Sequence, residues 1–364
     1  MAQFRKDTHQ YLPQETTIFE VVMLADQYGN LVGPANPSGT SVDAFGRARM
    51  STPLTLFDSS HRYQDNGKFY NSNSAVSSTV TYDTNASVVS LNITNTANSY
   101  AYRESSRVFS YQPGKSLLIL NTFCMAPTQT GLRQRVGYFG SQNGVYLELD
   151  GSTINFVVRS FSTGVLTEER IAQSNWNYDT FLGTGPSKVN LNVAKSNIFW
   201  ADIEWLGVGD VRVGFVNDGK FALAHTFKHA NNKSTSYMTT ATLPLRVEVE
   251  ATGTVVGVST FKQICNTVIS EGGYNPISER YSAGIGASTV TLTNPGAASY
   301  KYITSIRLAP GYTDSVVKIA GITGATSDNT KTAHIMLLKN ASLTGGSWTN
   351  QTTRVQYNNT ATFT

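Results

Sequence analysis

Apolar and polar residues alternate in short runs along most of this 364-residue chain. No window of eleven or more residues sustains apolar positions at i, i+3, i+4 and i+7, the pattern of an amphipathic helix. Period-two alternation, the pattern of a half-buried strand, recurs throughout. The sharpest block is RVGYFGSQNGVYLELDGSTINFVVRS, residues 135–160. It predicts strands at 135–140, 145–149 and 153–160, with turns at Asn143-Gly144 and Asp150-Gly151. Such dipeptides supply the positive φ angles that tight hairpins require. A second hairpin, DVRVGFVNDGKFALAHTF, pivots at Asp218-Gly219. In it Val211, Val213, Phe215 and Asn217 share one face, and Arg212, Gly214 and Val216 share the other.

The same pattern divides the chain into three parts. Residues 1–75 hold a hairpin, TIFEVVMLADQYGNLV, turning near Gly29-Asn30, and then DAFGRARMSTPLTLFDSSHRY, which has no clean period. This stretch reads as an extended arm that attaches to another protein. Phe45, Arg47, Arg49, Leu56 and Phe57 are its expected anchors, because buried aromatics and arginines dominate interface energetics. Residues 76–275 carry dense antiparallel strands, interrupted by the long loop SNWNYDTFLGTGPSK at 174–188. Residues 276–364 predict a smaller β domain, with strands in YKYITSIRLA and HIMLLKN and a terminal strand that pairs with a neighbour. The expected fold class is all-β, a sandwich with an N-terminal arm and a small C-terminal β domain.

Composition narrows the function classes. Charged residues make up 14% of the chain, against about 25% in an ordinary globular protein. The net charge is +4 and Lys and Arg are scattered, so there is no basic tract to follow a phosphate backbone. No nucleic-acid partner is expected. Apolar runs are strand-sized and none approaches the ~20 residues of a membrane-spanning helix, so no membrane is expected either. The N-terminus has no apolar signal-like stretch. Cys124 and Cys265 lie far apart and give no ligand spacing, so two free thiols are expected.

Candidate chemistry concentrates in FWADIEWLGVGDVRVGF, 199–215. On a strand, Trp200, Asp202 and Glu204 face one way, while Ala201, Ile203 and Trp205 face the other, into the core. An aromatic ring beside two carboxylates suits a sugar-binding cleft. The alternative is a pair of cross-strand ion pairs, with Arg212 or Arg159 as partner. GTGPSK at 183–188 lacks both the spacing and the helix of a phosphate loop. His225 and His229 on a strand would stand ~13 Å apart with no third ligand. No metal and no cofactor are expected.

The stretch ADIEWLG resembles the active strand of laminarinase-like glycoside hydrolases, which have a concanavalin-like jelly roll. That resemblance implies a concanavalin-like sandwich. It sets Asp202 at the family's assisting Asp and Glu204 at its acid/base. The nucleophile position is occupied by Trp200, which neither attacks nor transfers a proton. Carbohydrate binding without cleavage, by Trp200, Asp202 and Glu204, is therefore the expectation at this strand, and catalysis is not.

Longer stretches resemble a different family. DAFGRARMSTPLTLFDSSHRY, FSYQPGKSLLILNTF, RQRVGYFGSQNGVYLELDG, SNWNYDTFLGTGPS, DIEWLGVGDVRVGFVNDG and ICNTVISEGGY are together similar to virion structural proteins of tailed bacteriophages, notably phages of marine bacteria. The resemblance spans about residues 15 to 275. It implies an assembly component of the virion and does not define its location in the particle. The expectation taken from it and from the composition is a non-enzymatic virion part, assembled in the host cytoplasm, associated with the tail fibre or baseplate. Other virion proteins and further copies of the chain would be its partners. The alternatives are a receptor-binding lectin that recognises host surface polysaccharide, a capsid decoration protein and, last, a glycoside hydrolase.

Overall fold

The computed structural model describes residues 24–25, 31–32 and 52–363, apart from 276–278, 286–289, 292–300, 313–314, 326–334 and 339–340. Strands β1 (Leu24–Ala25) and β2 (Leu31–Val32) pair antiparallel, Leu24 opposite Val32, as the Gly29-Asn30 turn predicts. The centre of the molecule is a sandwich of two antiparallel sheets, built from Leu54 to Ser270.

The first sheet has seven strands. Its spatial order is β12 (Thr167–Ala172), β11 (Thr153–Ser160), β10 (Gly144–Asp150), β9 (Leu132–Phe139), β16 (Leu245–Ala251), β7 (Tyr100–Ser105) and β4 (Tyr70–Ala75). The second has eight. Its order is β15 (Lys220–Phe227), β14 (Val211–Asn217), β13 (Asn197–Ile203), β8 (Leu117–Cys124), β17 (Ser259–Ser270), β6 (Val88–Ile93) and β5 (Thr79–Asp83). Strand β3 (Leu54–Ser60) completes this sheet. It lies beside the second half of β17, whose first half pairs with β6. The three strands predicted from 135 to 160 fall at β9, β10 and β11, and the turn at Asp218-Gly219 joins β14 to β15.

One apolar core fills the space between the sheets. Phe156 of the first sheet stacks on Trp176 at 4.1 Å between ring centroids and meets Phe199 and Phe215 of the second. Trp176 belongs to the long loop, which packs down and is not a free excursion. Its Tyr178 and Asp179 amides both donate to Ala224 O and cap the edge of β15. Asp179 accepts from the Phe181 and Ser187 amides, which closes the Gly-rich turn on itself. The only helical element among the described residues is a single 3-10 turn, Gln173–Asn175.

The N-terminal arm is shorter than its sequence implies. Strands β3 and β4 are integral to the sandwich, so residues 54–75 fold with it. Phe57 is 4% exposed. It sits in its own chain's core, 5.8 Å from the Tyr70 ring and 5.2 Å from Phe109. Leu56 is half-buried against the same core. Phe57, expected as an anchor for another protein, is therefore committed to its own chain's core, and Leu56 packs part of its side chain there. Phe45, Arg47 and Arg49 lie outside the described residues.

Past the sandwich, β18 (Ser305–Leu308), β20 (Thr349–Asn350) and β21 (Val355–Asn358) form a three-stranded sheet in the order β18-β21-β20. Strands β19 (Leu343–Thr344) and β22 (Thr362–Phe363) pair separately within the chain. YKYITSIRLA contains β18 as predicted, but Ile335 to Leu338 of HIMLLKN form no strand.

Candidate functional site

Strand β13 is central in the eight-stranded sheet, between β8 and β14. Phe199, Ala201 and Ile203 enter the core, so Trp200 and Asp202 stand on the outer face, as alternation requires. That outer face is closed. Trp200, Asp202 and Glu204 are 6%, 1% and 2% exposed.

Each burial has a local cause. Gly214 lies opposite Trp200 on β14. A Cβ there would stand 3.0 Å from the indole and 2.1 Å from Ala222 O. The missing side chain lets the indole lie flat on the sheet, and its Nε1–H donates to Phe215 O at 3.2 Å. Phe221 meets it edge-on, and Leu118 and Leu223 bury its flanks. A sugar ring would need an open indole face, and this one is covered.

Asp202 faces Arg212 in the β13–β14 register, and the guanidinium donates directly to its carboxylate. The cross-strand ion pair is therefore formed, with Arg212 as the partner. Arg159 is on the other sheet, paired with Glu168 at 2.8 Å. Glu204 starts the turn to β14. Its amide donates to Asp210 O at 3.2 Å, and a Cβ on Gly209 would stand 2.3 Å from its carbonyl oxygen.

The turn itself is tied down from several sides. The Tyr111 hydroxyl accepts from the Trp205 and Leu206 amides. Trp205 Nε1 donates to Met238 O, and the Tyr237 amide donates to Gly207 O. His229 Nδ1 meets Gly209 O at 2.8 Å, which requires that nitrogen to carry the proton. The His229 ring stacks on Tyr237 with centroids 3.8 Å apart. Tyr237 is deeply buried, and its phenol is pushed well above the ordinary value for that reason.

His225 and His229 are each engaged locally. His225 Nδ1 accepts from the Asn177 amide at 3.2 Å. Burial holds its pKa down to about 4, and it lowers that of His229 too. Among the described residues no cluster of three metal-ligating side chains occurs, and no helix is long and apolar enough to cross a membrane. Cys124 and Cys265 are free thiols, and Cys124 donates to Ala194 O.

A feature absent from the sequence reading covers the outer face of the other sheet. Five arginines (133, 135, 159, 170 and 246) interleave with five glutamates (104, 148, 168, 248 and 250). Glu148, wholly buried, accepts from Arg135 and Arg170, each at 2.8 Å. Arg246 joins Glu104 at 2.7 Å and Glu248 at 2.9 Å, and lies 4.1 Å from the centre of the Tyr102 ring. These charges satisfy one another within the sheet. Their signal was in the sequence, in the i, i+2 spacing of RQR at 133–135 and RVEVE at 246–250.

No protein-family model matches the chain, and no curated protein matches it. Similar folds occur among solved structures. A protein of unknown function, SO2946, from Shewanella oneidensis MR-1 is 9% identical, with a TM-score of 0.40 over 65% of this chain and 94% of that one. The GH16 protein of a Bacteroides ovatus mixed linkage glucan PUL, solved with a G4G4G3G product, is 11% identical, with a TM-score of 0.38 over 58% of this chain and 99% of that one. The carbohydrate recognition domain of Emp47p is 10% identical, with a TM-score of 0.33 over 57% and 90%. At these identities the likeness is one of fold.

Proposed function

We propose that this chain is a non-enzymatic structural component of a tailed-bacteriophage virion, associated with the tail fibre or baseplate. The observation that carries the non-enzymatic part is the closed strand β13. A retaining glycosidase needs two carboxyl groups ~5–5.5 Å apart with room for a sugar between them. Here the first position is a buried indole, Asp202 is neutralised by Arg212, and Glu204 is 2% exposed. The burial of these three side chains supports a strand that binds and cleaves no glucan.

Virion membership is supported by the stretches between residues 15 and 275 that resemble phage structural proteins. The low charge content and the self-paired outer sheet suit a rigid part of an assembly. Other virion proteins are its partners in this reading, and the virion is its location. Gold-labelled antibody against the chain, applied to intact particles, tests it. Label at the tail or baseplate is the expected result. Label on the head would move the protein to a decoration role, and unlabelled particles would sink the reading. Incubation with laminarin and mixed-linkage glucans should release no reducing ends.

A further inference from the structure

Strand β17 changes neighbours along its length. Residues 259–263 pair with β6, and residues 265–270 pair with β3. Ile264 lies between the two stretches. It is also the residue skipped in the β8 ladder, where the register shifts between Gln263 and Cys265. Ile264 therefore has no opposite residue on any of the three strands. Its carbonyl still needs a donor, and His61 supplies one. The β3 ladder stops at Ser60, opposite Cys265, and the imidazole of the next residue reaches Ile264 O from Nδ1 at 2.6 Å. The main chain of His61 is held as well, because the Tyr82 hydroxyl of β5 donates to His61 O at 2.6 Å.

That contact fixes the ring's proton. Nδ1 donates to a carbonyl, so in the neutral ring Nε2 is the bare nitrogen. Nε2 is buried without a hydrogen-bond partner among the described residues, and His61 is 1% exposed. A second proton would create an N–H there with no acceptor and would charge the ring. The Tyr70 ring lies 6.0 Å from the imidazole and 4.3 Å from the guanidinium carbon of buried Arg103, so two cations would share that neighbour. Burial opposes the proton most strongly, the Ile264 carbonyl and Asp65 favour it, and Arg103 opposes it; the ring is held below its ordinary value. The other titratable or charged groups on the surrounding elements are Asp58 on β3, Arg62, Tyr70 on β4, Tyr82 on β5 and Cys265 on β17. Burial pushes Tyr70 up to about 12 and Cys265 up as well, so neither changes charge between pH 7.5 and 5.

We infer that His61 is an acid-operated latch: uptake of a proton releases residues 59–66 from β17 while the rest of the sandwich stays folded. Two features keep the opening local. Strand β3 has a ladder on one side only, along β17. Residues 59–66 bury no apolar side chain, and Phe57, which seats β3 in the core, lies before them. Their contacts are polar: Asn66 Nδ2 donates to Ser59 Oγ and Ser60 O within the segment, and Arg103 donates to Asp65 O. The imidazole gains its second proton only in the open form. The closed form is therefore fully favoured above pH 6.5 and loses ground as pH falls below it. With an ordinary value of about 6.5 in the open form, the open population rises by up to about thirtyfold from pH 7.5 to 5.

Hydrogen exchange on the full chain, corrected for intrinsic rates, tests it. In the wild type, protection of the 59–62 amides should fall about ten- to thirtyfold between pH 7.5 and 5 and stay below that of the β8 amides. His61→Asn keeps an amide donor in the place of Nδ1 and has no proton to gain, so its 59–62 protection should be the same at both pH values. Wild-type protection at 59–62 that ignores pH, that equals the β8 value at each pH, or that falls as far in His61→Asn overturns the inference. If the variant does not fold, the wild type decides alone. Opening should then gain about tenfold per pH unit between pH 6 and 5, and a flat profile overturns the inference.

Discussion

Replacing Trp200 with alanine separates a structural indole from a sugar platform. Trp200 is 6% exposed, so the substitution deletes an almost fully buried ring. An aromatic of this size removes roughly 200 Å² from water, worth ~5 kcal/mol at 25 cal/mol per Å². Residual burial in the unfolded chain lowers that figure. Large-to-small aromatic substitutions in cores cost about 3–5 kcal/mol, and that range is the expectation here. The Nε1–H bond to Phe215 O is lost with the ring. For a domain of this size about 3–5 kcal/mol corresponds to a fall of ~6–20 °C in Tm. Urea denaturation with paired thermal melts measures both. A loss below about 1 kcal/mol, coupled to a loss of glycan binding, would refute the reasoning, because an exposed stacking platform contributes to affinity and hardly to stability.

Other outcomes follow from the same geometry. Arg212→Met leaves Asp202 buried without its guanidinium and should cost about 3–5 kcal/mol, with much of that recovered when Asp202→Asn is added; urea titration of a double-mutant cycle measures the coupling. Gly214→Ala drives a methyl into Ala222 O and the indole, for a loss of at least about 1–3 kcal/mol seen as a lowered Tm. Acid should weaken the fold in two windows. Burial holds His61, His225 and His229 below 6.5, with His225 at about 4. The unfolded chain then binds more protons, and stability falls as pH drops from 6.5 towards 4. Burial alone would raise Glu168, but the Tyr146 hydroxyl, Arg159 and Arg170 hold it at about 2, so its contribution is lost from 4.5 towards 2. Chemical denaturation between pH 8 and 3 should show both declines, and His225→Gln should flatten the first.

The sandwich was legible where turn chemistry and alternation coincide. Asn143-Gly144, Asp150-Gly151 and Asp218-Gly219 mark real hairpins, and the inward set Val211, Val213 and Phe215 faces the core. Strands β3 and β4 were not legible. Strand β4, YNSNSA, is an edge strand with one buried residue, Tyr70, so hydrophobic alternation never announces it. Strand β3 buries only Phe57 and Ser59 and shares half of β17's edge with β6. At the candidate site, the side of β13 on which Trp200 and Asp202 stand was readable, and so was the Asp202–Arg212 pairing. Their burial was not. It depends on Gly214, Phe221 and Leu118, which come from three other strands and meet Trp200 only in the folded sheet.

The copy number of this chain in purified particles tests its proposed role most directly. Particles banded on a density gradient and washed in high salt would be quantified by mass spectrometry against a labelled standard of the chain. A fixed number of copies per particle, constant across fractions, is the predicted result. Recovery of the chain only in the soluble lysate, with none in the banded particles, would contradict the proposal.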